Sequence, residues 1–274
     1  MVKLVLNENS QKSLSVTEFL EYSQRFYGVE LKFSKVKEFI SNGKDLRDLE
    51  EIIENFNLKP MSIFRLNDFS LCPDSKYENI ILPKLYLMLE YAYRLGCKLL
   101  IVNPSYEARD IPKWKIIRRT IKKLKEVSKI AYKEDIRIGF EYLSYPNSSI
   151  KNLEQAKSVL EPLQSIENLG YIIDTFHLAK SSEPFENLKE IKEFIYLIQI
   201  SDLIYKNEKS EKNRLEIPEK HRLIPGSGDF DFDHFLKVIK RMHYFKPFSL
   251  ELSKEKNIEN LYFKYTKMFK DLKF

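Results

Sequence analysis

The chain has 274 residues, 43% hydrophobic and 31% charged, with 46 basic and 40 acidic side chains and a formal net charge of +6. That length suits one large α/β domain, and the composition excludes a disordered or fibrous chain. The small positive excess lacks the footprint of a dedicated nucleic-acid binder, and no apolar run approaches the roughly 20 residues that span a bilayer.

From the start, short strand-like runs alternate with longer helix-like ones. Met1-Val2-Lys3-Leu4-Val5-Leu6 reads as a first strand, too short for a secretory signal. With Cys72 and Cys97 as the two thiols, the expectation is a reducing, cytoplasmic setting without a disulfide framework. Strands are predicted at 3–7, 29–33, 61–66, 98–103, 136–141, 171–174, 195–200 and 247–251, and every gap but one holds an amphipathic stretch. Eight such units predict an α/β fold, a (β/α)8 TIM barrel forming a single domain over 1–274.

The third helix carries an apolar stripe of Leu85, Met88, Leu89, Ala92 and Leu95, and Gly96 supplies a left-handed stop before the next strand. Gly28 and Gly170 are expected to play the same part elsewhere. The densest basic run, Lys113 to Lys125, is interleaved with Ile117, Ile121, Leu124, Val127 and Ala131 at helical spacing, which puts its charges on a solvated face. The stretch 203–221 is charged and irregular, and reads as a long loop after the seventh strand on the catalytic face. A lid, a subunit contact and a solvated excursion are all open for it.

Four consecutive predicted strands end in oxygen donors: Glu141, Asp174, Gln199 and Glu251. A single acid after a strand is commonly a helix N-cap. Carboxylates gathered at the buried carboxyl ends of parallel strands lose hydration, however, and a shared divalent cation is the partner that suits three acids and an amide. An all-oxygen set favours Mn²⁺ or Mg²⁺, with Co²⁺ as a substitute, over Zn²⁺. His177, three residues past Asp174, and Arg222, just before Pro225-Gly226-Ser227-Gly228, are candidates to touch substrate. His177 is equally readable as a structural histidine, and Arg222 as a surface cation paired with a loop carboxylate. The Pro-Gly-x-Gly turn is a weak phosphate-binding signal. Asn7, Glu30, Lys32, Arg65, Asn67 and Asn103, at other strand ends, would read hydroxyls or a phosphate, or cap the chain locally.

The segments Gly139-Phe140-Glu141, Ile173-Asp174-Thr175-Phe176-His177, Ile198-Gln199-Ile200-Ser201-Asp202, the run from Arg222 to Asp231 and Phe248-Ser249-Leu250-Glu251-Leu252 resemble the ordered motifs of the sugar phosphate isomerase/epimerase family, the xylose isomerase-like TIM barrels. The plan is nearest that of inosose isomerases, with hydroxypyruvate isomerases and ketose 3-epimerases as further relatives. The resemblance implies Glu141, Asp174, Gln199 and Glu251 as ligands of one divalent metal, Glu141 and Glu251 as proton-transfer groups, and His177 and Arg222 as holders of substrate oxygens. Inosose isomerases carry histidine at the fourth ligand position, whereas hydroxypyruvate isomerases carry glutamine there, as here. Where epimerases have a second glutamate six residues after the first ligand, this chain has Asn147.

The implied activity is isomerisation or epimerisation of a sugar, inosose or small hydroxy-keto compound, by proton abstraction beside a metal-chelated carbonyl and through an enediolate. The expected partner is a small polyhydroxy carbonyl substrate, with no nucleic acid and no membrane, and with homo-oligomerisation left open. Two alternatives stand beside it. Endonuclease IV shares the fold but assembles three zinc ions with additional histidines; here His177 is the first histidine, and Lys220 and Arg222 occupy its Asp-x-His pair. The other alternative is a catalytically silent barrel that keeps the metal.

Overall fold

The computed structural model describes residues 3–106, 110–206, 210–253 and 258–269. Eight parallel strands close on themselves: β1 (Leu4–Asn7), β2 (Gly28–Lys32), β3 (Lys59–Leu66), β4 (Leu99–Val102), β5 (Arg137–Glu141), β6 (Leu169–Asp174), β7 (Ile195–Ile200) and β8 (Phe248–Leu250), with β8 paired back to β1. The barrel expected from the sequence is therefore present, and the (β/α)8 connections put every strand's carboxyl end on one rim.

Side chains alternate between the two faces of a strand, so each apolar run divides in two. Val29, Phe140, Ile173, Ile198 and Leu250 belong to the large shell packed between barrel and helices. Phe64, Leu99, Ile101, Ile172 and Leu197 form a separate small cluster, which the same alternation places in the lumen. Glu30, Glu141, Asp174, Gln199 and Glu251 each adjoin a shell residue in sequence. They therefore point inward, above that apolar plug.

The predicted stripe of the third helix is buried from Leu85 to Leu95, and Gly96 follows it at φ 67°. Gly28 and Gly170 differ from the expectation. Both lie inside strands, where an added Cβ would meet a backbone carbonyl oxygen, Lys59 O at 2.2 Å and Phe194 O at 2.3 Å respectively. They are there for close approach of neighbouring backbones. The basic helix Lys113–Tyr132 buries Ile116, Thr120, Leu124, Val127 and Ala131, leaving Ile117 and Ile121 only partly covered at the flank. Its core face is thus rotated from the predicted one. Within 203–221, the chain forms a short helix, Glu211–Leu215, and a 3-10 turn, Glu219–His221, while 207–209 lie outside the described residues. No helix among the described residues is long and apolar enough to cross a membrane.

A 3-10 turn, Glu8–Gln11, follows β1 and buries Glu8 completely. Its Oε2 accepts the Lys32 backbone N–H at 2.6 Å, and its Oε1 is buried without a partner among the described residues. Burial pushes this carboxyl from 4.5 up to about 7, against the Lys32 N–H bond and the charges of Lys35 and Lys32, with Glu38 adding to the rise. The raised folded-state value means that Glu8 costs nothing below pH 4.5, and that stability is lost as pH rises through 7. Relative to Glu8→Gln, the wild type is expected to lose about 3 kcal/mol between pH 4 and pH 8. Urea denaturation of both proteins at each pH checks this; a stability difference that does not change with pH would contradict it.

Candidate active site at the barrel mouth

The site is built on a buried carboxylate in the middle of β2. Glu30 accepts hydrogen bonds from Asn7 Nδ2 (2.9 Å), Ser62 Oγ (2.6 Å), Ser249 Oγ (2.5 Å) and Gln199 Nε2 (3.1 Å), which ties together β1, β2, β3, β7 and β8. A carboxylate offers only acceptors, so Gln199 must turn its NH₂ toward Glu30. Its Oε1 then faces away, buried and without a partner among the described residues.

The acids expected at the strand ends all lie above this layer. Glu141 Oε2 accepts from Asn103 Nδ2 at 2.8 Å, and Glu251 Oε1 from Asn9 Nδ2 at 2.8 Å. Asp174 sits directly across from Gln199 in the sheet register and also caps the helix Thr175–Ser181 through the Phe176 N–H at 2.9 Å. The local N-cap reading of this acid and the site reading both hold. Donor atoms of Glu141, Asp174 and His177 lie within 4.8 Å of one another, the one such His/Cys/Asp/Glu group among the described residues. Burial pushes Glu141 up to about 8, opposed by Arg65 and assisted by Glu251 and Asp174, and burial raises Glu251 in the same way.

His177 is fully buried, with Nδ1 accepting the Ser144 N–H at 3.1 Å. Burial, with Arg222, Lys180 and Arg65 nearby, holds its pKa well below the ordinary histidine value, so the ring is neutral. A neutral imidazole whose Nδ1 accepts must carry its proton on Nε2. That N–H faces Asp174 at 3.7 Å and Glu141 at 3.9 Å. His177 therefore offers a donor to the mouth and no lone pair for a metal.

Arg222 is not at the surface. It is buried, stacked on Phe176 at 4.5 Å, and forms a two-pronged pair with Asp174 at 2.5 and 3.0 Å; it also bonds Ser201 Oγ at 2.9 Å and lies 3.7 Å from Glu251. The backbone exchange between Asp202 and Leu223 fixes the chain beside it, through bonds of 2.8 and 2.7 Å. The glycine turn that follows is occupied internally. Asp202 accepts from the N–H groups of Gly226 (2.9 Å), Gly228 (2.8 Å) and Phe230 (3.0 Å), and a Cβ on Gly228 would lie 2.5 Å from Asp202 Oδ1. These donors hold a carboxylate of the protein, so the turn is not a phosphate loop.

The charges do not balance within the site. Four carboxylates, Glu30, Glu141, Asp174 and Glu251, meet two guanidiniums, Arg222 and Arg65, the latter 3.6 Å from Glu251. Fully ionised, these six groups leave two negative charges in a buried space; the buried Lys180 near Asp174 offsets one of them when protonated, and a divalent cation would offset the rest. The orphaned Gln199 Oε1 fits the same demand, as an oxygen donor held ready by Glu30. Asn9, Ser144, Ser62 and Ser249 escape the sequence reading, and Glu30, Arg65 and Asn103 are visible there only as polar strand-end residues.

A closed parallel barrel with its polar groups at the carboxyl ends of the strands defines the class, a TIM barrel with a mouth-facing site. The chain belongs to the xylose isomerase-like TIM barrel family, whose model matches residues 25–272. Among characterised relatives, an inosose isomerase of Bacillus velezensis is 26% identical over 250 residues, covering 90% of this chain and 84% of its own length. One from Bacillus subtilis is 26% identical over 198 residues, covering 71% and 68%. Among solved structures, a crystal structure of the IolI protein with a bound zinc atom superposes with a TM-score of 0.86 at 24% identity, covering 98% of this chain and 97% of that one.

Proposed function

We propose that this chain is a divalent-metal-dependent isomerase or epimerase acting on a small polyhydroxy carbonyl compound. The observation that carries the reading is the buried group of Glu141, Asp174 and His177, whose donor atoms lie within 4.8 Å of one another, with Glu251 linked to Asp174 through Arg222 and Gln199 paired with Asp174 in the sheet, its Oε1 unpartnered among the described residues. Similarity to the inosose isomerases supports the reaction class. A cation held by Glu141, Asp174, Gln199 and Glu251 would act as a Lewis acid on the substrate carbonyl, acidifying the neighbouring C–H.

The chain's own groups do the rest. Either Glu141 or Glu251 takes the proton from carbon, and the other, or the same one, returns it. Return to the neighbouring carbon, with the hydroxyl proton passing between the two adjacent substrate oxygens, isomerises the substrate; return to the opposite face of the same carbon epimerises it. The Nε2–H of His177 donates to a substrate oxygen, and Arg222 holds Asp174 in place and neutralises part of its charge. The two buried free thiols suit work in a reducing cytoplasm.

Mn²⁺ or Mg²⁺ suits the all-oxygen set best, with Co²⁺ as a substitute. Gln199→His would replace the amide oxygen with an imidazole nitrogen, and is expected to raise the ratio of Zn²⁺ to Mn²⁺ affinity by about tenfold or more. Competitive metal titration reads this directly, and an unchanged ratio would remove Gln199 from the ligand set. The reading as a whole is tested by incubating Mn²⁺-loaded protein with ketoses, aldoses, inososes and small keto acids in D₂O. Deuterium entering beside the carbonyl of one of them is expected by NMR. Metal bound with exchange into none of them would leave a silent barrel in place of an enzyme.

A further inference from the structure

Beside the acid cluster the mouth opens into a cavity of about 350 Å³, formed where the chain leaves β1, β2 and β3. Its lining is strongly one-sided in charge: Lys12, Lys32, Arg65 and Lys84 face it, against the single carboxylate of Glu219. Glu219 is shared at long range, 3.9 Å from Lys12 and 3.8 Å from Arg65. Lys84 Nζ donates to the Arg65 carbonyl at 3.0 Å, which satisfies a donor but brings no negative charge. The Lys32 ammonium has no ion pair among the described residues.

With Arg65 set against Glu251, three ammonium groups remain against Glu219, and low-dielectric walls strengthen their field. Burial, then Arg65 and Lys12, lower the pKa of Lys32, with Glu8 and Glu219 opposing, while burial, then Arg65 and Lys37, lower that of Lys84. Nothing in the Glu30 network or the acid cluster needs this positive ring, apart from Arg65, which also lies 3.6 Å from Glu251. That contact makes the cavity continuous with the proposed reacting centre. With the glycine turn filled by Asp202, the cavity is the basic surface at the mouth among the described residues.

We infer that this cavity binds an oxyanion, a phosphate or a carboxylate, carried by the substrate at the end remote from its reacting carbonyl. The inference rests on the proposed function for the identity of the reacting centre, and narrows its substrate class to anionic hydroxy-carbonyl compounds. Lys32 and Lys84 would hold the oxyanion, with Arg65 placed between it and Glu251.

The test is equilibrium binding without turnover. Inorganic phosphate and acetate are titrated separately into wild-type protein and into Lys32→Met, Lys84→Met and the distant Lys133→Met by calorimetry, at constant ionic strength to remove general screening. Saturable binding of at least one anion is expected, weakened about tenfold or more in Lys32→Met and in Lys84→Met and unchanged in Lys133→Met. Binding of phosphate alone assigns a phosphate ester, and of acetate alone a carboxylate. No saturable binding of either, or binding equally strong in both cavity variants, overturns the inference. Because no reaction is read, anion binding in a protein that exchanges no deuterium would uphold the cavity and sink the isomerase reading. Exchange without anion binding would do the reverse.

Discussion

Glu141→Gln and Glu251→Gln are each expected to slow solvent deuterium incorporation into a bound ketose by about 10³-fold, with the barrel still folded. The substitutions are close to isosteric, and existing partners dictate how each amide would sit. At 141 the amide oxygen would stay on Asn103 Nδ2, which now donates to the carboxylate at 2.8 Å, and at 251 it would stay on Asn9 Nδ2, also at 2.8 Å. In both cases an NH₂ group would then face the cavity, where it can donate but cannot take a proton from carbon. Metal affinity measured alongside separates the two roles: unchanged affinity with slowed exchange marks a base, and weakened affinity marks a ligand. The exchange rates, read by NMR at saturating Mn²⁺, decide the roles singly. Wild-type exchange in either variant would strike that residue from proton transfer.

The architecture and the four donors were legible because both depend on short-range pattern. Apolar runs of four to six residues ending in Glu141, Asp174 and Gln199 carry the strand, its direction and the inward parity of its last side chain at once. What holds those donors was hidden because it is long-range. Glu30 and Gln199 are 169 residues apart and Asn9 and Glu251 are 242 apart, so no local spacing announces either contact. Glu30 is an acid inside an apolar strand, a conflict that signals a buried network without naming its members. The glycines failed for a different reason. Positive φ at Gly96 and backbone crowding at Gly28 and Gly170 both demand the same missing Cβ, and only the fold tells them apart. Arg222 reads equally as a holder of substrate oxygens and as a surface cation, and its burial follows from the Asp202–Leu223 bridge, a contact between segments that the sequence presents as loop.

That buried arginine gives the second large effect. Asp174 is almost wholly inaccessible to water, and among the described residues Arg222 supplies two of its hydrogen bonds and the Phe176 N–H the third. Arg222→Met keeps the apolar bulk over Phe176 but leaves the carboxylate without its counter-charge. In metal-stripped protein this is expected to cost about 3–5 kcal/mol, the usual penalty for removing one partner of a buried ion pair. Saturating Mn²⁺ should narrow the gap between variant and wild type. A cation that uses Asp174 competes with the guanidinium in the wild type and meets no such competitor in the variant, so it binds the variant more tightly and stabilises it more by linkage. Urea denaturation of both proteins, with chelator and with Mn²⁺, gives the four free energies needed. A stability difference that is the same with and without Mn²⁺ would mean that the bound cation does not draw on Asp174, and the proposed ligand set would lose its central member.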